Sequence, residues 1–301
     1  MQILFNQFII KILPYLPFSI VRLVAGRYVA GETAEDALKV VKVLNQQGFS
    51  ATVDILGEHT KSEHNARDIT SQYKALLSSI YEQNLNCNIS IKPSHLGMDV
   101  STEFIIKNMT HLIETARQNS QFIRIDMEDS SITDATIQLY RKCKEQYENV
   151  GTVLQAYLFR SENDLFKLLN KNRLNLRICK GIYRESSDIA LQNRDDINSN
   201  YLKLLRFAFE NNIYVCIATH DKYLIKETYK IIGDLKIPND RFEFQILYGV
   251  PMSTWLKKHL KHGYRVRVYV PFGRDWYNYS VRRMKENPNI IGYVLRNIFR
   301  K

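Results

Sequence analysis

Cysteine is scarce in this sequence and never paired at short spacing. Cys87, Cys143, Cys179 and Cys216 are scattered through 301 residues without a C-x-x-C pair. That excludes a cysteine zinc site and a secreted disulfide framework, and it indicates a reducing compartment. Histidine is equally sparse, with seven residues and no H-x-H pair, so the metal-dependent hydrolases built on strand-end histidines are disfavoured. No run of five or more Lys or Arg occurs, although the net charge is +11. The positive charge is therefore spread, which argues against nucleic-acid binding. An anionic ligand, an anionic membrane surface or a merely solvated basic surface explains the excess. Long uncharged runs are also missing. The apolar first 24 residues are interrupted by Lys11, Pro14, Pro17 and Arg22, so they form no membrane span, and they lack the features of a signal peptide. They read as an amphipathic helical arm, which either packs on the domain or dips into a membrane interface.

What the chain does contain is a regular alternation. Eight short apolar runs rich in β-branched or aromatic residues occupy 52–56, 88–92, 122–127, 152–158, 176–182, 214–219, 242–247 and 265–270. Their starts lie about 23 to 38 residues apart, the length of one βα unit. The intervening segments have helical periodicity. In 164–170, for instance, Leu165, Phe166, Leu168 and Leu169 are expected on the packed side, with Asp164, Lys167 and Asn170 outward. No linker divides the chain. The expected fold is α/β, a (β/α)8 TIM-type barrel preceded by the helical arm. An open doubly wound sheet binding a dinucleotide needs a glycine-rich turn after its first strand. Here that turn, Leu56-Gly57-Glu58-His59, has a single glycine.

In such barrels the active site gathers at the C-terminal strand ends. The polar residues there are Asp54, Lys92, Asp126, Glu128, Gln155, Arg177, Lys180, Thr219, His220, Asp221, Glu243, Gln245, Arg267 and Tyr269. Charges inside apolar strands are costly unless paired or ligand-bound, so this set is expected to divide between structural pairs and ligand contacts. After the last strand a helix can begin near Asp275 and must stop before Pro288. Tyr279, Arg282, Arg283 and Glu286 fall on one face of it. Glu286 can pair with Arg282, leaving Arg283 to point at an external anion. Two guanidinium forks suit a carboxylate or a phosphate, and the neighbouring Tyr269 and Tyr279 favour a ligand carboxylate. A solvated surface ion pair is the structural alternative. The site is expected to be metal-free.

Several strings resemble segments of proline dehydrogenases, above all the monofunctional bacterial ones. They are Arg177-Ile178-Cys179-Lys180-Gly181-Ile182-Tyr183, Ala218-Thr219-His220-Asp221, Phe242-Glu243-Phe244-Gln245, Val268-Tyr269-Val270-Pro271-Phe272-Gly273, and the helix from Trp276 to Glu286. The resemblance runs from about Ala25 to the C-terminus. The combination of Arg-Arg-x-x-Glu with Lys-Gly-x-Tyr makes it specific.

The resemblance implies FAD held without a covalent bond by a barrel spanning 33–301, with 1–32 as the arm. It implies oxidation of L-proline to Δ1-pyrroline-5-carboxylate, the first step of proline catabolism to glutamate, with electrons passing to a membrane quinone. Location would be cytoplasmic, with peripheral contact to the inner face of the cell membrane left open. By the same resemblance, Asp126 and Arg177 are catalytic. Arg282 and Arg283 bind the proline carboxylate, Glu286 braces Arg282, and Lys92 adds a cationic contact. Tyr269, Tyr279 and Leu247 wall the ring. Met127, Gln155, Cys179, Lys180, Gly181, Thr219, His220 and Gln245 line the cofactor. A cationic Arg177 near the flavin suits the negative charge that reduction brings, while Asp126 is read either as a general base or as an orienting group. Three positions depart from the family pattern: Ile182 in place of a common Ala, Pro93 in place of Leu and Asn287 in place of Arg. Ile182, beside the flavin strand, is the one expected to alter cofactor packing.

Overall fold

The computed structural model describes residues 22, 25–169, 174–277 and 279–281. Eight parallel strands close into a barrel in sequence order. They are β1 (Ser50–Ile55), β2 (Cys87–Ile91), β3 (Ile123–Ile125), β4 (Val150–Gln155), β5 (Asn175–Cys179), β6 (Tyr214–Ala218), β7 (Phe242–Leu247) and β8 (Arg265–Phe272). Helix α1 (Ala34–Gln46) precedes the barrel. Helices α2 (Glu63–Glu82), α3 (Thr102–Gln118), α4 (Thr133–Gln146), α5 (Ser161–Leu168), α6 (Arg194–Glu210), α7 (Lys222–Asp234) and α8 (Ser253–Lys261) follow β1 to β7 in turn.

Every expected strand is present. Three end two or three residues short of their apolar runs, at Ile125, Gln155 and Cys179, and β1, β2 and β6 end one residue short. Beyond those points Met127, Ala156, Tyr157 and Leu158 remain buried in loops over the rim, so hydrophobicity there records burial and not ladder pairing. The expected face of α5 needs correction. Leu165 and Leu168 are buried as expected, but Phe166 is 66% exposed. Asp164 is the buried residue, its carboxylate accepting from Arg160 Nε at 2.6 Å. At 100° per residue, Ser161, Asp164, Leu165 and Leu168 share the inner stripe, and a carboxylate can lie there because its charge is paired.

Alternation along the strands sorts the residues into two sets. Ile123 and Ile125, Leu176 and Ile178, Phe242 and Phe244, and Val268 and Val270 belong to one continuous apolar core with the buried faces of the helices. The residues that alternate with them on the opposite face, among them Arg124, Arg177, Glu243 and Arg267, are polar and bond to neighbouring strands of the barrel. Barrel interiors are usually filled by bulky branched side chains. This one is filled by a hydrogen-bonded lattice. At its base Arg124 donates to Thr152 O at 2.8 Å, to Asn175 O at 2.9 Å and to Asn175 Oδ1 at 2.5 Å. Gly151 makes the room, since a Cβ there would lie 2.4 Å from Arg124 Nη1.

The seam between β8 and β1 is covered by α1, which packs on both strands. Its start is fixed by a reciprocal cap in which Thr33 and Asp36 bond each other's backbone and side chain. Because α1 holds the place that a helix after β8 would fill, the helix starting at Trp276 lies elsewhere. It packs with Ala25, Tyr28, Val29 and Leu56 in a second apolar cluster at the strand ends. The 25–31 segment is strapped there by Ala30 N–H to Pro271 O at 2.9 Å and Gly273 N–H to Gly31 O at 3.0 Å. Trp276 Nε1 donates to Glu32 at 3.1 Å. Residues 1–21 of the expected arm lie outside the described residues, as do Arg282, Arg283 and Glu286. No helix among the described residues is long and apolar enough to cross a membrane.

The strap has one point of no clearance. Gly249 has φ +77°, and a Cβ there would lie 1.8 Å from the carbonyl oxygen of Arg27. Gly249→Ala is expected to cost more than about 1 kcal/mol of stability, since backbone and not a flexible side chain blocks the new atom. A lower urea midpoint together with faster proteolysis within 25–31 is the expected result; an unchanged midpoint would mean that the segment does not seat against the loop after β7.

Candidate functional site

A cavity of about 820 Å³ opens at the C-terminal ends of the strands. All fourteen described residues expected in the site line it: Lys92, Asp126, Met127, Gln155, Arg177, Cys179, Lys180, Gly181, Thr219, His220, Gln245, Leu247, Tyr269 and Tyr279. Of the wider strand-end set, Glu243 and Arg267 do not reach it. They pair with each other deeper in the barrel, Arg267 Nε to Glu243 Oε1 at 2.8 Å.

The centre of the cavity floor is an ion pair. Arg177 Nη1 donates to Asp126 Oδ1 at 2.5 Å, and Arg177 Nε donates to Gln245 Oε1 at 2.6 Å. Asp126 also accepts from Ser90 Oγ at 2.7 Å and from the Tyr269 hydroxyl at 3.0 Å. The guanidinium carbon lies 5.3 Å from the centre of the Tyr269 ring, a cation–π distance. Burial works against the charge on Arg177, but Asp126 and the Tyr269 group outweigh it and carry its pKa above the ordinary value. Burial, reinforced by Asp126 and Asp54, pushes the Tyr269 hydroxyl well up, so it remains a donor.

A second pair lies beside the first. Lys92 Nζ donates to Asp54 Oδ2 at 2.5 Å, and the hydroxyl of Tyr73 on α2 lies 3.2 Å from Asp54 Oδ1. Burial alone would lower the Lys92 pKa, but Asp54 and Asp126 raise it, so the ammonium keeps its charge. On the β6 side Asp221 caps α7 by accepting from Tyr223 N–H at 3.0 Å, and it takes Lys180 at 2.6 Å and Arg194 at 2.9 Å. Burial pushes its carboxyl up, yet these donors win and bring its pKa down to about 2. His220 Nε2 accepts from the N–H of Leu247 at 3.0 Å, which places the ring hydrogen of the neutral form on Nδ1.

Glu128 is different in kind. Its two oxygens accept from Ser94 N–H at 2.9 Å and Ser94 Oγ at 2.5 Å, and it lines the cavity with almost no exposure. Burial raises its pKa to about 7 against those bonds and Lys92. Asp54 and Glu128 were visible as strand-end polar residues, but nothing in the residue pattern singled them out as site groups. Ser90 was findable, two residues before Lys92 on the same strand face. Tyr73 reaches in from a helix and leaves no such signal. Ile182, the unusual residue of the Lys-Gly-x-Tyr string, sits at the cavity rim and is 45% exposed.

Two features bear on a bound cofactor. Gln155 Oε1 is buried at the cavity wall without a hydrogen-bond partner, an acceptor awaiting a donor. Gly181, at φ +105°, is where the chain leaves β5, and a Cβ there would collide with the Tyr157 ring at 2.2 Å. The glycine is therefore required by the Tyr157 ring behind the wall, while the open Gln155 acceptor suits a large ligand that carries donor groups.

The family model that matches this sequence is described as proline dehydrogenase and covers residues 37–294. Proline dehydrogenase 1 of Bacillus subtilis strain 168 is 39% identical over 280 residues, covering 93% of this chain and 92% of that one. Proline dehydrogenase of Deinococcus radiodurans is 35% identical over 282 residues, covering 92% and 90%. Among solved structures, proline utilization A from Bdellovibrio bacteriovorus, inactivated by N-propargylglycine, superposes with a TM-score of 0.81 at 25% identity. That match covers 88% of this chain and 32% of the longer protein.

The raised pKa of Glu128 has a consequence for stability. The folded protein holds this proton more tightly than the unfolded chain, whose ordinary value is 4.5. The contribution is therefore complete below about pH 4.5 and disappears as pH rises toward 7. Glu128→Gln can keep the bond from Ser94 N–H on its oxygen, with its NH2 donating to Ser94 Oγ in the reverse sense, and it removes the titration. Its stability relative to wild type should rise between pH 5 and pH 8, by at most about 3 kcal/mol. Urea denaturation at several pH values reads this directly; a pH-independent difference means that Glu128 ionises normally in the cavity.

Proposed function

The chain belongs to the proline dehydrogenase family, and from that premise we propose that it oxidises L-proline to Δ1-pyrroline-5-carboxylate using FAD held in the strand-end cavity, with a quinone as onward acceptor. The observation that carries the reading is the gathering of all fourteen described expected residues around one cavity whose floor is the Arg177–Asp126 pair. In this reading 33–301 is the catalytic barrel and 1–32 the arm.

FAD would sit against Gln155, Gly181, Lys180 and the neighbouring residues, and it would supply the hydride acceptor. The chain's own groups have three tasks. The first is to hold the acid group of proline. Among the described lining residues carboxylates outnumber cations by six to three, and all three cations face carboxylates already. The carboxylate grip therefore falls to Arg282 and Arg283, with Glu286 bracing Arg282 and Lys92 adding its remaining ammonium hydrogens. The second task is to wall the ring, which Tyr269, Tyr279 and Leu247 do from the cavity lining. Carboxylate and ring together set the angle of the reacting carbon, a proximity effect.

The third task is to keep a fixed cation beside the developing negative charge. Arg177 serves here because Asp126 and Gln245 allow its guanidinium one orientation. Both oxygens of Asp126 are engaged by donors, from Ser90, Arg177 and Tyr269. Of the two roles open to it, that geometry favours the orienting one. The rival reading, a barrel hydrolase or lyase of small carboxylates, keeps the arginine forks but binds no flavin.

Purified protein supplied with FAD should show a visible flavin band that bleaches when proline is added without oxygen; a band that never appears, or never bleaches, defeats the reading. Arg283→Lys should weaken proline binding by about 10- to 100-fold while FAD stays bound, because an ammonium cannot reproduce a bidentate fork. Proline titrations followed by flavin absorbance give the ratio, and equal affinities would remove Arg283 from the substrate site.

A further inference from the structure

We propose that Glu243, which does not reach the cavity, is a positioning residue that fixes Arg177 by dictating which way the amide of Gln245 points. The proposal deepens the function proposed above and rests on it for its kinetic arm only.

Three side chains form a directed chain. Arg177 Nε donates to Gln245 Oε1 at 2.6 Å, and Gln245 Nε2 donates to Glu243 Oε1 at 2.6 Å. The same carboxylate oxygen accepts from Arg267 Nε at 2.8 Å, while Arg267 Nη1 is tied to Ala51 O at 2.6 Å. Strand register supports the arrangement, with Gln245 on β7 opposite Arg267 on β8 and Glu243 two residues below on the same face.

A glutamine amide is nearly symmetric in shape, and only its partners decide which end is oxygen. A guanidinium can only donate and an ionised carboxylate can only accept. Glu243 therefore draws the NH2 of Gln245 toward itself and turns the C=O toward Arg177. Burial pushes the Glu243 carboxyl up, but Arg267 and Gln245 outweigh it and hold its pKa below the ordinary value, so the anion persists at working pH. With Nε held in this way, the planar fork has one remaining direction, Nη1 toward Asp126 with the Tyr269 ring beside it. A neutral group at 243 accepts less strongly and can itself donate. The amide is then free to turn, its NH2 meets the N–H of Arg177, and the guanidinium swings off Asp126.

A merely space-filling Glu243–Arg267 pair predicts lost stability without selective loss of turnover. The test is a double-mutant cycle on the FAD-loaded enzyme, using Glu243→Gln, Gln245→Leu and both together. Glu243→Gln is expected to lower kcat for proline roughly tenfold or more with KM changed by less than about threefold, as for a misplaced catalytic group. In the Gln245→Leu background the same substitution should change kcat by less than about twofold, because the route to Arg177 is already cut. The urea midpoints of the four proteins, measured without FAD, should show the same non-additivity. Should Glu243→Gln fail to fold, Glu243→Leu combined with Arg267→Met replaces the ion pair by an apolar one that buried sites often tolerate, and it should show the same loss of kcat. Full kcat in either variant, or an undiminished effect of Glu243→Gln in the Gln245→Leu background, overturns the proposal. A wild-type protein that does not oxidise proline defeats the function proposed above, and the urea cycle then still decides the geometry.

Discussion

Keeping a guanidinium charged inside a closed barrel is the constraint around which this molecule is organised. An arginine removed from water loses several kcal/mol of solvation, and attraction to one carboxylate returns that only if the remaining donors and lone pairs are also met. Arg177 meets the condition with Asp126, Gln245 and the Tyr269 ring. Each partner then needs partners of its own: Ser90 and Tyr269 for Asp126, and Glu243 for Gln245. The requirement passes down the barrel to Arg267 and Ala51, until the inner faces of most strands are committed to it. Satisfaction of buried arginine charges, Arg177 at the cavity floor and Arg124 at the base, thus explains why a fold normally stuffed with Val, Ile and Leu is polar inside, and why its apolar core lies almost wholly between the strands and the helices.

The position of α1 has a comparable reach. By covering the β8–β1 seam it releases the helix that begins at Trp276 to lie at the strand ends, where Asp275 and Tyr279 join the cavity wall. That helix is held by the chain's own beginning, through Trp276 to Glu32 and through the apolar cluster of Ala25, Tyr28 and Val29. Residues more than 240 positions apart are joined there, so the mouth of the barrel is shaped by a long-range contact between the two ends of the described chain.

Much of this was legible in the residues, for identifiable reasons. Strand existence followed from apolar runs at βα spacing, and the parallel barrel followed from their number and the lack of a domain break. Strand-end residues were legible because the fold places function there, so Asp126, Arg177, Gln245 and Tyr269 could be named from position alone. Strand ends were not legible at β3 and β4, because loops folded over the rim are as apolar as strands, nor at β5, where Ile182 is an apolar residue exposed at the cavity rim. The face of α5 was misjudged at Asp164 because a buried carboxylate is recognisable only once its partner Arg160 is seen. Tyr73 and Ser94 act from elements whose local pattern gives no hint of what lies opposite, and the assignment of Glu243 to a pair and Gln245 to the cavity needed register, which sequence does not carry.

Charge distribution draws the two halves of the site together. The protein is strongly basic, yet the described lining of its cavity carries twice as many carboxylates as cations. Three of those carboxylates hold cations still: Asp54 holds Lys92, Asp126 holds Arg177 and Asp221 holds Lys180. Cations held this firmly are good at sensing charge that develops in place, because they need no reorganisation when it appears. They are poor at capturing a carboxylate from water, which calls for donors not already claimed. Rigid strands and a separately anchored terminal helix can divide those two demands between them. Under the function proposed above, that capture falls to Arg282 and Arg283, three and four positions after Tyr279 in the sequence.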